Sequence, residues 1–404
     1  MSASGSPLIF RKGLDRKQEV ALQLAEDYHS DLVAAIKRDG FVYSAGRITV
    51  HLAREFGFCY GVDRAVDYAY QARVRFPDRR IFLTGEIIHN PHVNDQLRSQ
   101  GIRFLSDPGE SVDAVTRDDV VILPAFGIAL DVLETFVARG CTLVDTTCGS
   151  VLNVWKNVTR YTAEGITSVI HGKYWHEETQ ATASQAGQGG RGHYLVVLDR
   201  TEAARACDYI RNGGDRSVFL ATFGKATSPG FDPDLHLQRV GCANQTTMLS
   251  SESLEVGQMF RAAIADRFGE AELSHRFRAF DTICSATQDR QDAVTALLDE
   301  RHLDLMLVLG GHNSSNTYNL ARICASAVPT YHVAEPRGLV SADEILHRPV
   351  DGHDAVLARG WLPQGRLSIG LTAGASTPDT LVGAVIRRLD ALANDPSNEP
   401  DTFS

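Results

Sequence analysis

The amino-acid sequence predicts an α/β protein with mostly parallel sheets, and three observations lead to this fold class. Short, continuous apolar runs alternate with helix-like segments along most of the chain, which is typical of strands buried on both faces. The 404 residues are enough for two to three domains. Three cysteines share one local setting, an extended segment followed by a helix-like run, and this repetition predicts three pseudo-symmetric α/β modules.

Eight apolar runs are predicted to be buried strands. They are IFLTGEIIH (81–89), VVILPAF (120–126), TLVDTT (142–147), TSVIH (167–171), YLVVL (194–198), SVFLATF (217–223), LDLMLVLGG (303–311) and LSIGLTAG (367–374). The segment 223–245 is rich in Gly and Pro, so it is predicted to be a long loop or an insertion.

The two ends of the chain differ from this alternating pattern. Apolar positions recur at helical spacing between residues 14 and 38 and predict an amphipathic helix that ends near Gly40. We therefore expect an N-terminal helical extension over 1–47. The three modules are then expected at 48–147, at 148–283 with the 223–245 insertion, and at 284–390. The polar stretch 391–404 is expected to be a flexible tail.

Composition excludes several classes of protein. A formal net charge of −10 argues against general nucleic-acid binding and against attachment to anionic membranes. Apolar runs in the sequence stay well below the roughly 20 residues that a membrane span needs. The seven cysteines are an odd number, and no secretory signal opens the sequence, so we expect reduced thiols in a cytoplasmic protein. The acidic residues near the N-terminus fit poorly with an organellar transit peptide.

The cysteines fall into two predicted groups. Cys59, Cys148 and Cys284 each precede a helix-like run, where the helix dipole and the first N–H groups stabilise a thiolate. Three such thiolates could hold zinc, copper(I) or an iron–sulfur cluster, and spacing alone leaves this choice open. The remaining cysteines are expected to be small buried apolar residues. They are Cys141, Cys207, Cys242 and Cys324.

Neutral hydrogen-bonding side chains follow several predicted strands. The segments GEIIHN, HEETQAT, QTT, NSSNT and GASTPD all lie at such strand ends. Ligands bind at the carboxyl ends of strands in α/β sheets, and helix N-termini with Ser, Thr and Asn bind anions. A phosphate or diphosphate is therefore the simplest ligand. Each segment taken singly could also be an ordinary helix cap, so the prediction depends on how many of them occur together.

Together these segments resemble the 4-hydroxy-3-methylbut-2-enyl diphosphate reductase family. The motifs GFCYGVDRA, GEIIHN, DTTCGSV, HEETQAT, QTT, DTICSATQDRQ, NSSNT and TAGASTPD stand in the family's order and cover most of residues 50 to 390. The N-terminal extension and the 223–245 segment are similar to the longer branch found in plants and cyanobacteria.

The resemblance implies both a fold and a site. The expected fold is a three-lobed trefoil around a central [4Fe–4S] cluster, which is held by Cys59, Cys148 and Cys284 and keeps its fourth iron open for substrate. Glu178 is expected to supply protons, and Thr246 is expected near the substrate hydroxyl. The residues expected at the diphosphate are His89, His176, Ser314, Ser315, Asn316 and Ser376.

The resemblance also implies a reaction. An allylic hydroxyl is removed with two electrons and two protons, and the products are isopentenyl and dimethylallyl diphosphate. A ferredoxin or a flavodoxin is the implied electron donor. One departure from many family members is Phe126, which stands where they carry a histidine and removes one possible diphosphate donor.

Three other functions remain compatible with the residues alone. A non-catalytic iron–sulfur sensor would need an output surface, such as a basic helix, and the acidic charge argues against one. A zinc-dependent hydrolase with Cys and His ligands would contain zinc without sulfide. A plain diphosphate-binding module would be colourless under anaerobic conditions.

Overall fold

The computed structural model describes residues 8–280 and 282–394. The predicted flexible tail therefore lies outside the described residues from position 395 onward. The strands in chain order are β1 (Ile9–Phe10), β2 (Val42–Ala45), β3 (Ile48–Leu52), β4 (Ile81–Leu83), β5 (Ile102–Phe104), β6 (Val120–Leu123), β7 (Thr142–Asp145), β8 (Thr167–His171), β9 (Tyr194–Val197), β10 (Val240–Asn244), β11 (Phe277–Ala279), β12 (Leu305–Leu309), β13 (Thr330–Val333), β14 (Glu344–His347), β15 (Val356–Arg359) and β16 (Leu367–Ala373).

The α-helices separate most of these strands. They are α1 (Lys17–Tyr28), α2 (Asp31–Arg38), α3 (Tyr60–Arg75), α4 (Pro91–Ser99), α5 (Leu130–Arg139), α6 (Gly149–Ala163), α7 (Glu177–Gly187), α8 (Arg200–Asn212), α9 (Arg216–Phe223), α10 (Pro233–His236), α11 (Ser250–Phe268), α12 (Leu273–Arg276), α13 (Ser285–Glu300), α14 (Ser315–Ala325) and α15 (Asp379–Ala393). Short 3-10 helices lie at Val112–Ala114, Gln188–Gly190, Gly224–Ala226, Glu270–Glu272 and Pro336–Gly338.

The described chain divides into two compact units. Unit 1 comprises residues 8–12, 76–87 and 101–284 and contains two parallel sheets, with strand orders β1-β7-β6-β4-β5 and β11-β10-β8-β9. Leu143 and Phe136 lie in the apolar core of the first sheet, and Val240 and Phe260 lie in that of the second. The predicted apolar runs supply β4, β6 and β7 of the first sheet and β8 and β9 of the second, and the other strands of both sheets were not predicted.

Unit 2 comprises residues 13–75, 88–100 and 285–394. Its sheet has the order β13-β12-β16-β3-β2, and only the edge strand β2 is antiparallel. Strands β14 and β15 form a separate antiparallel hairpin. The core of this sheet includes Val50, Leu307 and Ile369, which are fully buried. The α/β class with mostly parallel sheets is confirmed, and the trefoil stays a prediction.

Three local predictions were wrong. The run 217–223 was predicted to be a strand, but it lies in helix α9. The segment 223–245 was predicted to be a loop or insertion, but its end is β10, an inner strand of the second sheet. Strand β3 was assigned to the module 48–147, but it pairs with β16, whose residues were assigned to the module 284–390.

The predicted N-terminal helix is two helices, because the chain turns at Ser30 between α1 and α2. The Ser30 hydroxyl accepts a hydrogen bond from the N–H of Val33 and so caps α2. The Gln71 side-chain oxygen accepts from the N–H of Leu14 at 3.0 Å, so α3 holds the start of this region within unit 2. Among the described helices none combines the length and apolar character needed to cross a membrane.

Candidate active site

Each of the three cysteines predicted to bind metal lies immediately before a helix. Helices α3, α6 and α13 begin one residue after Cys59, Cys148 and Cys284. The N–H of residue 63 bonds to the Cys59 carbonyl and that of residue 152 to the Cys148 carbonyl, so both cysteines already accept helical hydrogen bonds. Cys59 and Cys148 therefore belong to the first turns of α3 and α6.

The backbone of each of these cysteines is hydrogen-bonded to a loop that carries another residue singled out in the sequence. In unit 2 the N–H of Cys59 donates to the carbonyl of Ala375, next to Ser376, at 3.2 Å. In unit 1 the N–H of Cys284 donates to the Thr246 carbonyl at 3.4 Å, and that of Cys148 donates to the Ala125 carbonyl at 2.8 Å. Cys59 and Cys284 are thus fixed beside the candidate residues Ser376 and Thr246, and Cys148 is fixed beside Phe126.

Burial separates these three cysteines from the other four. Cys59, Cys148 and Cys284 are partly exposed, whereas the remaining cysteines are buried. Burial raises the pKa of the Cys207 and Cys324 thiols to about 12, and it also raises the pKa of Cys141 and Cys242. Such thiols stay protonated and apolar, as the sequence predicted for structural cysteines.

Glu178 lies on the first turn of α7 in unit 1 and is 3% exposed. Its carboxylate oxygen Oε1 accepts a hydrogen bond of 2.6 Å from the N–H of Thr246. Its own N–H donates to Nδ1 of His176 at 3.1 Å. Because Nδ1 of His176 is an acceptor, the proton of the neutral ring lies on Nε2, which makes Nε2 a donor. The structure thus brings His176, Glu178 and Thr246 together.

Gln245 organises the loop that precedes Thr246. Its side-chain oxygen accepts from the N–H of Lys173 at 3.2 Å and from the Thr179 hydroxyl at 3.1 Å. Its amide nitrogen donates to the Thr247 hydroxyl at 2.9 Å. Gln245 therefore connects the loop after β8, the helix α7 and the loop after β10, and it holds Thr246 against Glu178.

The unit 2 residues of the candidate site surround the end of strand β12. The Ser314 hydroxyl caps α14 by accepting from the N–H of Thr317. The Ser376 hydroxyl donates to the His89 carbonyl at 3.2 Å, and Nδ2 of Asn313 lies 3.5 Å from Nδ1 of His89. His89 and Ser376 come from two loops that are hydrogen-bonded to each other within unit 2, whereas Ser314, Ser315 and Asn316 form the N-cap and the first turn of α14.

Asn316 has an amide nitrogen without a partner. Its oxygen Oδ1 accepts from the N–H of Ala375 at 3.0 Å, and this bond fixes the orientation of the amide. Its Nδ2 is buried and has no hydrogen-bond partner, although Asn316 is only 3% exposed. Leaving a buried donor unsatisfied costs about 1–3 kcal/mol. An acceptor on a ligand would remove this cost.

Comparison with known proteins gives the family. A family model described as LytB protein matches residues 50–390. A protein from Gloeobacter violaceus named 4-hydroxy-3-methylbut-2-enyl diphosphate reductase is 48% identical over 95% of this chain and 92% of its own length. A protein of the same name from a Picosynechococcus strain is 45% identical over 98% of this chain and 97% of its own length. The chain belongs to the LytB family.

Two solved structures are similar to this LytB chain. A structure titled (E)-4-hydroxy-3-methyl-but-2-enyl diphosphate reductase, the terminal enzyme of the non-mevalonate pathway, aligns with a TM-score of 0.51 at 27% identity. The alignment covers 84% of this chain and 98% of the other. A reductase structure from Plasmodium falciparum aligns with a TM-score of 0.60 at 20% identity over 88% and 90% of the two chains, and this likeness concerns the fold alone.

Phe126 was expected to mark a departure from many members of the family, and it lies in unit 1. Its ring lies edge-on to the His176 ring, with centroids 6.2 Å apart. A phenyl ring cannot donate a hydrogen bond to a phosphate, so its contribution is to pack against His176 and limit the freedom of the imidazole.

Sequence reasoning assigned no role to Arg290 or Gln245, although both stand inside the quoted motifs. Arg290 is buried on α13, and its guanidinium donates to the carbonyls of Gly57 and Phe58 at 2.6 and 3.1 Å. It thus shapes the turn before Cys59 in this LytB chain. A buried arginine inside an otherwise polar motif was the available signal, but its partner is more than 200 positions away in sequence.

Proposed function

We propose that this chain reduces 4-hydroxy-3-methylbut-2-enyl diphosphate to isopentenyl and dimethylallyl diphosphate, the last step of the methylerythritol phosphate route to isoprenoids. Membership of the LytB family and the names of near full-length relatives support this function. The structural observation that carries it is the buried, unpartnered amide nitrogen of Asn316, which lies on the first turn of α14 directly after Ser314 and Ser315.

We further propose that Cys59, Cys148 and Cys284 are the protein ligands of a [4Fe–4S] cluster. The donor set fits, because soft thiolates suit iron–sulfur clusters and because these three cysteines alone among the seven combine partial exposure with a helix N-terminus. When bound, such a cluster supplies electrons and an iron that lacks a protein ligand and can act as a Lewis acid.

The residues proposed to hold the diphosphate are mostly neutral donors. They are His89, His176, Ser314, Ser315, Asn316 and Ser376. The Nε2 proton of His176 and the Nδ2 protons of Asn316 suit phosphoryl oxygens, which only accept hydrogen bonds. Neutral donors and a helix N-terminus can bind an anion without a basic patch, which agrees with the acidic charge of the chain.

Glu178 is proposed to deliver protons, and Thr246 to relay them. Hydroxide is a poor leaving group, so protonation by a positioned acid accelerates its departure as water. The hydrogen bond from the N–H of Thr246 fixes one oxygen of Glu178 and orients the carboxyl group towards the Thr246 loop. A second proton must reach either end of the allyl fragment, and the end that receives it determines which product forms.

The electron donor and the location are further parts of the same proposal. A small electron-transfer protein, a ferredoxin or a flavodoxin, is the proposed electron donor. The cytoplasm is the proposed location, because the sequence contains an odd number of cysteines.

The test of this function is anaerobic turnover of 4-hydroxy-3-methylbut-2-enyl diphosphate with a chemical reductant, with the products identified by mass spectrometry. We expect both isopentenyl and dimethylallyl diphosphate. Protein that contains iron and sulfide but forms neither product would contradict the proposed substrate and would favour an iron–sulfur sensor. Protein that contains zinc without sulfide would contradict the cluster.

A further inference from the structure

The segment Gly310–Ser314 connects strand β12 to helix α14 and leads into the proposed diphosphate residues. Gly310 has a φ of +145°, and a Cβ there would lie 2.5 Å from the Thr317 hydroxyl oxygen. A Cβ at Gly311 would lie 2.5 Å from the His89 carbonyl oxygen. Close packing therefore leaves no room for a side chain at either position. The backbone itself lies along the proposed diphosphate site.

Three successive carbonyl groups of this segment accept hydrogen bonds from the protein. The Gly310 carbonyl lies 2.9 Å from Nε2 of His332, and the Gly311 carbonyl accepts from the N–H of Ser314 at 3.0 Å. The His312 carbonyl accepts from the Nη1 group of Arg348. None of the residues that hold the first and third carbonyls was singled out in the sequence.

Arg348 is itself rigidly held. Its N–H donates to the His332 carbonyl at 2.9 Å, and its Nε donates to the Gly352 carbonyl at 3.1 Å. Its guanidinium lies 5.0 Å from the centroid of the Tyr318 ring on α14. These contacts already restrict the rotamers of the Arg348 side chain, so its hydrogen bond to the His312 carbonyl costs little additional conformational entropy.

His332 is a constant donor. It is 1% exposed, and its pKa is lowered to about 3, mainly by burial and then by the neighbouring His312. The ring is therefore neutral at physiological pH and carries one N–H. Because a carbonyl oxygen can only accept, that proton lies on Nε2 and points to Gly310.

The direction in which the carbonyls of this segment are held determines whether a bound ligand contacts its C=O groups or its N–H groups. In a trans peptide the C=O and the next N–H point in opposite directions. Holding the Gly310 and His312 carbonyls on the side of β13 and residue 348 therefore turns the N–H groups of Gly311 and Asn313 the other way. A phosphoryl oxygen is attracted by N–H groups and repelled by carbonyl oxygens.

We propose that Arg348 and His332 are positioning residues for diphosphate binding, because they hold the Gly310 and His312 carbonyls away from the ligand. The inference rests on the proposed function for the identity of the ligand. Neither residue reaches the reacting hydroxyl in this scheme, so their contribution is to substrate binding that is equal in the ground state and the transition state. Such binding changes KM and leaves kcat unchanged.

The experiment compares R348M, R348K and wild type as anaerobically purified holoprotein. We expect R348M to raise KM for the allylic diphosphate about tenfold, which corresponds to about 1.4 kcal/mol, with kcat within about twofold of wild type. R348K keeps the charge but offers only a point donor, so we expect an intermediate KM. Calorimetric titration with inorganic diphosphate should show the same order of Kd values.

The matched control is R388M. Arg388 lies in the same unit and also holds two backbone carbonyls, those of Leu339 and Val340 at 3.0 and 2.6 Å, but these carbonyls are not in the segment Gly310–Ser314. We expect R388M to lower thermal stability without changing KM. Equal KM and diphosphate Kd in R348M and wild type would overturn the inference, as would a loss confined to kcat.

A pair of variants at His332 tests the inference even if R348M does not fold. H332Q replaces the imidazole with an amide that can still donate near the Nε2 position, whereas H332L cannot donate. We expect H332L to raise the Kd for inorganic diphosphate and H332Q to restore it in part; equal Kd values for the two variants would contradict a donor role. Wild-type protein that binds inorganic diphosphate but does not turn over the allylic diphosphate would contradict the proposed function alone.

Discussion

At the scale of single residues, the sequence predicted where the candidate metal ligands lie but not which metal they bind. The positions of Cys59, Cys148 and Cys284 before helices could be read from the order of small residues and helix-like runs, and the structure agrees. The same context separated these three cysteines from the four that the structure buries, but it does not distinguish between the metals that thiolates bind. Sequence context alone therefore left the kind of metal open.

The first prediction concerns the cysteines. C148S should lose or degrade the cluster, because an alcohol is a much weaker ligand for iron than a thiolate. C207A should keep it, since Cys207 is buried in an apolar core. Iron and sulfide content after anaerobic purification is the measurement. The same iron content in both variants would contradict the assignment of three cysteine ligands.

The second prediction concerns Glu178. In E178Q the side-chain oxygen can still accept the hydrogen bond from the N–H of Thr246, so the local structure should persist. The amide has no acidic proton to deliver, and we expect kcat to fall by roughly 10²–10⁴-fold. The variant should bind as much iron as wild type. Near-normal turnover of E178Q would remove Glu178 from the mechanism.

The residues that sequence reasoning missed act through the backbone. Gln245, Arg290 and Arg348 each hold main-chain groups of segments that carry site residues. Their partners are distant in sequence, and any carbonyl or N–H can be a partner, so no local pattern marks them. The residues proposed to bind the ligand were named from the sequence because their types suit a diphosphate.

At the scale of elements, seven of the eight continuous apolar runs contain a strand, and the run 217–223 does not. The run 217–223 contains β-branched and aromatic residues, but Asp215 accepts hydrogen bonds from the N–H groups of Ser217 and Val218 and starts a helix. Strand β10 was missed because Gly241 and the preceding turn residues suggest a loop. Gly241 is there because the Tyr161 ring packs against it.

The third prediction uses this difference between glycines. In G257A, on helix α11, the added Cβ meets no atom within 4 Å, so the free energy of unfolding should rise by about 0.5–1 kcal/mol. In G241A the Cβ would lie 2.7 Å from the Tyr161 ring. Overpacking should therefore lower the free energy of unfolding by about 1–3 kcal/mol. Urea unfolding followed by circular dichroism measures both. Shifts of the same sign would contradict the packing argument.

At the scale of the whole molecule, the predicted division into contiguous modules does not match the pairing of strands. Strand β3 was expected to open the first module, yet it lies between β2 and β16 in the unit 2 sheet. Parallel strands pair across long connections, and an apolar pattern does not identify the partner. Fold class was therefore predictable from local sequence, and the membership of each sheet was not.

Histidine burial is a second property of the whole molecule. Burial is the main cause that lowers the pKa of six histidines, namely His51, His193, His236, His312, His332 and His347. In an unfolded chain each has a pKa near 6.5. Below about pH 6.5 the unfolded chain therefore binds more protons than the folded chain, so stability decreases as the pH falls. Above that pH both states are neutral and this contribution is constant.

The last prediction follows for His332, whose pKa in the folded chain is about 3, so that its contribution is lost progressively between about pH 6.5 and pH 3. For this residue alone the loss should reach about 2 kcal/mol at pH 5. Thermal unfolding at pH 7 and pH 5 measures it. H332Q cannot titrate, so its midpoint should fall less between the two pH values than that of wild type. H353Q, which removes an exposed histidine of the same unit, should behave as wild type. An equal fall in H332Q and wild type would mean that other groups cause the acid sensitivity.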